Sequence, residues 1–262
     1  MQAIILCGGL GTRLREETEF RPKPMVEIGG HPILWHIMKI YASHGFTDFV
    51  LCLGYKANVI KEYFLNYEAM SSDVTVELGR ANAICYHGGG HGEVGWKVTL
   101  AFTGEHAGTG ARIKRAAKYL KKKPQTFAVT YGDGVGNINL RESLKFHKSH
   151  GKLATVTGVR PPSRFGDIQK DGARVIAFNE KPQIGQGLIN GGFFFFEPAF
   201  LDYLDDNEDC ALEDRPLTRC TRDGQLCVYE HTDYWQCMDT YRELELLERQ
   251  WAGGNAPWKI WK

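Results

Sequence analysis

No apolar run in this sequence approaches the roughly 18 residues that a membrane-spanning helix needs, which excludes a helical membrane protein. The first such run, Ala3-Ile4-Ile5-Leu6, is short and ends at glycines, so no signal peptide is expected. A dominant charge sign is also missing: 32 Lys and Arg against 31 Asp and Glu leave a formal charge of +1. A general nucleic-acid binder would show a large basic excess, so local cations here point to a small-anion site. The seven cysteines include no C-x-x-C pair and leave one over, which fits a reduced cytoplasmic interior better than a disulfide frame. Cys210, Cys220, Cys227 and Cys237 match no standard zinc module by spacing. What remains is an ordinary soluble chain of 262 residues, enough for one large core or two smaller ones.

The familiar phosphate motifs are absent as well. A P-loop needs G-x-x-x-x-G-K-[ST], yet Thr12 follows Gly11; a dinucleotide fingerprint needs G-x-G-x-x-G, yet Leu14 stands where the third glycine belongs. Present instead is Leu6-Cys7-Gly8-Gly9-Leu10-Gly11-Thr12-Arg13, followed by Pro22-Lys23-Pro24-Met25. A buried strand that opens into three glycines in four positions lets the backbone turn sharply and present its N–H groups to a ligand. Arg13 adds a planar fork of donors and Lys23 a mobile point charge. Together they suit a polyphosphate; the bland alternative is a plain glycine turn between strand and helix.

Downstream, Ile33, Leu34, Ile37, Ile40 and Tyr41 fall at helical spacing between Pro32 and Gly45. Phe49 to Leu53 reads as a buried strand and Asn58 to Tyr67 as a helix. This alternation is that of a parallel α/β sheet, with ligands at the carboxyl ends of its strands. Val74 to Leu78 and Lys97 to Phe102 read as strands around a glycine-rich tip, whose Cys85, His87 and His91 are better explained by a flexible hairpin than by a metal site. A helix is expected from Thr109 to Leu120, then a strand from Phe127 to Tyr131 delivering Gly132-Asp133-Gly134. The helix at 140–150 carries His147 and His150, both expected in solvent. Further strands are expected at Leu153 to Val159, Val175 to Phe178 and Phe193 to Phe196, and a last helix from Thr240 to Trp251. The tail bearing Trp258 and Trp261 should bury itself against its own body or a neighbouring subunit, and it points to an oligomer contact. The expected fold is α/β: a Rossmann-like mixed, mostly parallel sheet flanked by helices, with small β insertions and a C-terminal helical tail.

The pattern G-G-x-G-T-R-x9-K-P over residues 8–24 closely resembles the signature of sugar-phosphate nucleotidyltransferases. The likeness continues through Glu180-Lys181-Pro182, Asn190-Gly191-Gly192-Phe193-Phe194 and Trp235-Gln236-Cys237-Met238-Asp239-Thr240, and is weakest around 79–108. It implies transfer of a nucleotidyl group from a nucleoside triphosphate to a hexose 1-phosphate, with Mg²⁺ as cofactor and pyrophosphate released. By the same resemblance Leu6, Cys7, Gly8, Gly9, Leu10, Gly11, Thr12, Arg13, Lys23, Arg112 and Gly132 hold the nucleotide. Arg13, Lys23 and Asp133 would be catalytic, and Asp133 and Asp239 would bind the metal. Glu180, Lys181, Asn190, Gly191 and Gly192 would hold the sugar phosphate. Lys114 and Arg115, beside Arg112, read as structural. Asp133 between glycines has turn chemistry as its bland reading, although a hard cation does want carboxylate oxygen.

The resemblance further implies a single domain over 1–262, with residues 1–135 mainly on the nucleotide side and 136–240 mainly on the sugar side. Whole-chain likeness favours CTP, while a uridylyl- or thymidylyl-transferring enzyme would share these residues. A nucleotide-binding subunit without turnover is the alternative from another class. A homo-oligomer is expected, with no nucleic-acid or membrane partner.

Overall fold

Ala3-Ile4-Ile5-Leu6 lies within β1 (Gln2–Cys7), a strand buried along its whole length. Ala3, Ile5 and Cys7 enter one core while Ile4 and Leu6 enter the other, as a side-chain period of two requires. Both faces are therefore apolar, which is why the run reads as continuous rather than alternating. The computed structural model describes residues 1–79, 83–87, 92–121, 125–160, 167–179 and 187–261.

Four strands run parallel, β1, β2 (Asp48–Leu53), β3 (Lys97–Phe102) and β4 (Phe127–Tyr131), in the order β3-β2-β1-β4. The sheet then mixes directions through β5 (Ala154–Val159), β6 (Ile189–Asn190) and β7 (Phe194–Phe196), which continue it as β4-β7-β5-β6 with antiparallel pairing. A further strand, β8 (Leu226–His231), pairs parallel with β5. Residues from helices α1 (Ile33–Ser43), α2 (Ala57–Leu65), α4 (Leu140–His150) and α6 (Tyr241–Ala252) fill one core. Those from α3 (Thr109–Ala116) and α5 (Arg215–Arg222) enter the other. The mixed, mostly parallel α/β sheet is the expected fold.

Register decides where the site lies. Leu6 is opposite both Cys52 and Tyr131, so β1, β2 and β4 end on one edge and deliver Gly8, Gly54 and Gly132 side by side.

Three features depart from the sequence reading. His147 is not in solvent: it is 1% exposed, with Nδ1 at 2.8 Å from Thr155 Oγ1 and Nε2 at 3.3 Å from Glu197 Oε1. Its polar partners come from other elements, so the helix alone gave no sign of them. His150 is half-buried and shares the same Thr155 hydroxyl at 2.7 Å. Nor does the tail wait for a neighbour. Trp258 is fully buried in its own chain, its indole N–H donating to His36 Nδ1 at 3.3 Å, and Trp261 packs edge-on to Trp35.

The third departure is the face of the insertion. Asp73–Val76 pairs not with Lys97–Phe102, which joins the main sheet as β3, but with Ile84–His87 from the expected tip, placing Val74 opposite Tyr86 and Val76 opposite Ile84. Those four apolar side chains share one face and are 39–52% exposed. No helix among the described residues is long and apolar enough to cross a membrane.

Candidate active site

The glycine loop is shaped by what surrounds it. Gly11 adopts φ 63°, and a Cβ there would lie 2.7 Å from Thr18 Cγ2, so only glycine fits this left-handed turn. The turn feeds a single 3-10 turn, Thr12–Leu14, which buries Leu14 and leaves the Arg13 side chain 73% exposed. Among the described residues, a Cβ on Gly9 would meet nothing within 4 Å, so the outer face of the loop is open to them. Cys7 offers backbone rather than sulfur, because burial holds its thiol well above the usual range.

Lys23 reaches the same edge from the other side. Pro22 is extended, Lys23–Met25 makes a 3-10 turn, and Met25 and Val26 anchor that turn in the core. Asp133 follows β4 through Gly132. The short strands Gly134–Gly136 and Trp235–Cys237 pair antiparallel, and the Met238 N–H donates to the Asp133 carbonyl at 2.9 Å. Asp239 comes next, fixed by the capping box that starts α6: Glu243 Oε2 accepts from the Asp239 and Thr240 N–H groups at 2.7 and 2.9 Å. Two carboxylates distant in sequence thus converge on one ammonium. Lys23 Nζ lies 2.6 Å from Asp133 Oδ2 and 2.5 Å from Asp239 Oδ1, and Arg13 Nη1 donates to Asp239 Oδ2 at 2.7 Å.

Burial alone would lower the Lys23 pKa. The Asp133 charge and the hydrogen bonds to both carboxylates outweigh it, so the net shift is upward. Lys23 is a standing cation, not a base. Cys237 nearby is pushed up to about 12 by burial, then by the charges of Glu243, Asp239 and Asp133, which rules it out as a ready nucleophile.

Arg112 departs from the expected phosphate contact. It is 4% exposed, and its guanidinium donates to the carbonyls of Gly104 (2.7 Å), Gly8 (2.9 Å), Glu105 (3.1 Å) and Leu53 (3.2 Å) and to Thr103 Oγ1 (3.1 Å). A Cβ on Gly8 would sit 2.0 Å from its Nη1. Arg112 therefore supports the glycine loop from beneath. Lys114 and Arg115 are structural as expected, donating to the carbonyls of Leu201 and of Thr103 and Asp206.

Among the residues expected to hold the sugar phosphate, Gly192 (φ 76°) lets the chain pass close over the Tyr131 ring, and the Trp235 indole N–H donates to the Gly191 carbonyl at 2.9 Å. Asn190 Oδ1 accepts from the Gly192 N–H at 2.9 Å, and its amide nitrogen donates to the Tyr131 hydroxyl at 3.0 Å. Glu180 and Lys181 lie outside the described residues. Sequence reasoning missed the Tyr131 side chain and Glu213, although the hydroxyl donates to Glu213 Oε1 at 2.5 Å. Tyr131 ends the strand that the sequence marks ahead of Asp133; Glu213 sits in a charged stretch with no local signature.

The family model for nucleotidyl transferase matches residues 2–240. The chain belongs to the nucleotidyl transferase family. It is 48% identical over 262 residues, the full length of both chains, to the glucose-1-phosphate cytidylyltransferase of Salmonella typhi. It is 42% identical over 261 residues, again all of both chains, to the probable glucose-1-phosphate cytidylyltransferase of Bacillus subtilis (strain 168). Among solved structures, HddC from Yersinia pseudotuberculosis is 26% identical with a TM-score of 0.67, covering 95% of this chain and 99% of that one.

For a nucleotidyl transferase this edge has suitable chemistry. Hard oxygen donors from Asp133 and Asp239 fit Mg²⁺, which favours carboxylates, water and substrate phosphates over an all-protein cage. Among the described residues no group of three or more His, Cys, Asp or Glu could hold a metal alone. A two-carboxylate set leaves the remaining positions to water and substrate.

Proposed function

We propose that this nucleotidyl transferase converts CTP and α-D-glucose 1-phosphate to CDP-glucose and pyrophosphate, with Mg²⁺ as cofactor. The observation that carries the reaction type is the meeting of Lys23, Asp133 and Asp239 at the end of the glycine loop. Full-length identity of 48% to a glucose-1-phosphate cytidylyltransferase supports the choice of base and sugar.

The sugar phosphate oxygen that attacks the α-phosphorus is already an anion, so no general base is needed. The difficulty is bringing two anions together in line, which asks for positioning and positive charge. Lys23 has three N–H donors and gives two of them to Asp133 and Asp239, leaving one for an α-phosphate oxygen. Arg13, exposed at the mouth, suits the β- and γ-phosphates and so favours pyrophosphate as the leaving group. The loop N–H groups, braced by Arg112, would line the triphosphate. Asp133 and Asp239 would hold Mg²⁺, which when bound neutralises triphosphate charge and orients it. Lys181 and Glu180, together with Asn190 to Gly192, would hold the sugar phosphate.

Pyrophosphate release from CTP, glucose 1-phosphate and Mg²⁺ is the direct test. Release that needs all three supports the proposal; release with another nucleotide but not CTP overturns the cytidylyl assignment. Silence with every nucleotide favours a non-catalytic subunit.

The proposal includes a cytoplasmic enzyme that self-associates. Support for self-association comes from the 73–87 hairpin rather than the tail. A two-stranded hairpin is marginal alone in water, and its apolar face specifies register only where it is covered. A second copy offers further apolar surface in Leu65 and Met70, 77% and 84% exposed. Light scattering should find an oligomer that V76K weakens; a wild-type monomer contradicts this.

A further inference from the structure

We infer that Glu213 is a positioning residue for hexose recognition, acting through Tyr131 and Asn190. The inference rests on the transfer reaction proposed above and concerns only its sugar side. A continuous run of hydrogen bonds supports it. Thr109 Oγ1, on the first residue of α3, accepts from the Leu212 N–H at 2.8 Å and donates to Glu213 Oε2 at 2.7 Å. Glu213 Oε1 accepts from the Tyr131 hydroxyl at 2.5 Å, and that hydroxyl accepts from Asn190 Nδ2 at 3.0 Å. Asn190 Oδ1 in turn accepts from the Gly192 N–H at 2.9 Å. One carboxylate thus links three parts: the helix that carries Arg112, the strand that delivers Asp133, and the Asn190–Gly192 segment.

The consequence is polarity. An ionised carboxylate only accepts, and an amide nitrogen only donates. Held between the two, the single Tyr131 proton must point at Glu213, leaving the oxygen lone pairs toward Asn190. The Asn190 amide is set the same way, because its oxygen is taken by the Gly192 N–H. The wall then shows an incoming sugar one fixed donor, the second Asn190 N–H, and one fixed acceptor, the Tyr131 oxygen. Tyr131 is half-buried and Asn190 and Glu213 are exposed, so these atoms are reachable. A site built to hydrogen-bond particular hydroxyls discriminates far more sharply than an apolar one. Without the charge at 213 the tyrosine proton can turn either way, and that discrimination is lost.

Glu213 could instead serve only to staple its loop to α3, and kinetics separate the two roles. The comparison uses wild type, Glu213→Gln, Tyr131→Phe and the double variant, each with CTP, Mg²⁺ and either glucose 1-phosphate or its 4-epimer, galactose 1-phosphate. Positioning predicts that Glu213→Gln raises KM for glucose 1-phosphate by about 10- to 100-fold, while KM for CTP stays within about twofold and preference over the epimer falls. Tyr131→Phe leaves the Thr109 staple intact and should show the same pattern, with the double variant no worse than either single one, as expected for residues acting as one unit. An unchanged sugar KM, an equal rise for CTP, or effects that multiply in the double variant would each overturn the inference. If Glu213→Gln fails to fold, Tyr131→Phe with an unchanged sugar KM and epimer preference overturns it alone. A silent wild type would instead overturn the transfer reaction, and this inference with it.

Discussion

Replacing Lys23 by methionine keeps the length and apolar stem of the side chain and removes only its charge. In the folded protein that leaves Asp133 and Asp239 facing one another without the ammonium at 2.6 and 2.5 Å. Removing one partner of a fully buried ion pair costs about 3–5 kcal/mol. Here the Lys23 and Asp239 side chains are 11% and 14% exposed but Asp133 is 33% exposed, so water relieves part of the repulsion. The expected loss is about 1–3 kcal/mol, or roughly 3–9 °C in Tm for a chain of this size. Turnover should fall by about 10²- to 10³-fold, the scale of other groups that stabilise developing charge. Lys23→Arg should not restore it, because a planar fork cannot replace a point charge between two carboxylates. Freed of the ammonium, the two carboxylates should also bind a divalent cation more tightly, although Asp239 keeps its contact with Arg13. For a Kd near 1 mM, about 10 mM Mg²⁺ adds about 1.4 kcal/mol to stability by mass action, and this gain should be larger in Lys23→Met than in wild type. Thermal unfolding with and without Mg²⁺, beside initial rates, reads both effects. Wild-type kcat in Lys23→Met, or an identical Mg²⁺ response, would refute the reasoning.

Arg112→Met strips the donor from five acceptors under the glycine loop. Urea unfolding should show a loss of about 3–5 kcal/mol together with weaker CTP binding; weaker binding at unchanged stability would mean that Arg112 acts on phosphate directly. Acid should loosen the tail anchor. Burial lowers the His36 pKa to about 4, its Nε2 bonds the Ile28 carbonyl and its Nδ1 accepts from Trp258. The unfolded chain, near 6.5, therefore binds the proton first, and stability falls as pH drops from about 6.5 toward 4, by about 2–3 kcal/mol at pH 4.5. His36→Gln should flatten that slope in urea titrations at pH 7 and 4.5; an unchanged slope contradicts the assignment.

Elements that carry their own punctuation were legible in the chain. β1 is followed by three glycines, α1 lies between Pro32 and Gly45, and α6 is capped by Thr240 with Glu243 three residues on, so local chemistry marks each boundary. Lys23, Asp133 and Asp239 could be named from motifs, but their convergence depends on the pairing of 134–136 with 235–237, which no local pattern encodes. Arg112 was legible as important, but its bracing of the glycine loop was not. A basic residue near a glycine loop suggests phosphate, and only the fold shows five acceptors already waiting for it. His147, Trp258 and Glu213 failed for a shared reason: their partners Glu197, His36 and Tyr131 lie 50 or more residues away.

Product analysis from a competition mixture tests the central claim most directly. Wild-type protein is given equal CTP, UTP and dTTP with glucose 1-phosphate and Mg²⁺, and the nucleotide sugars are separated and identified by mass. CDP-glucose is expected as the dominant product, formed with one pyrophosphate each, and lost in Asp133→Ala. A mixture dominated by UDP- or dTDP-glucose, or product formation that survives Asp133→Ala, would contradict it.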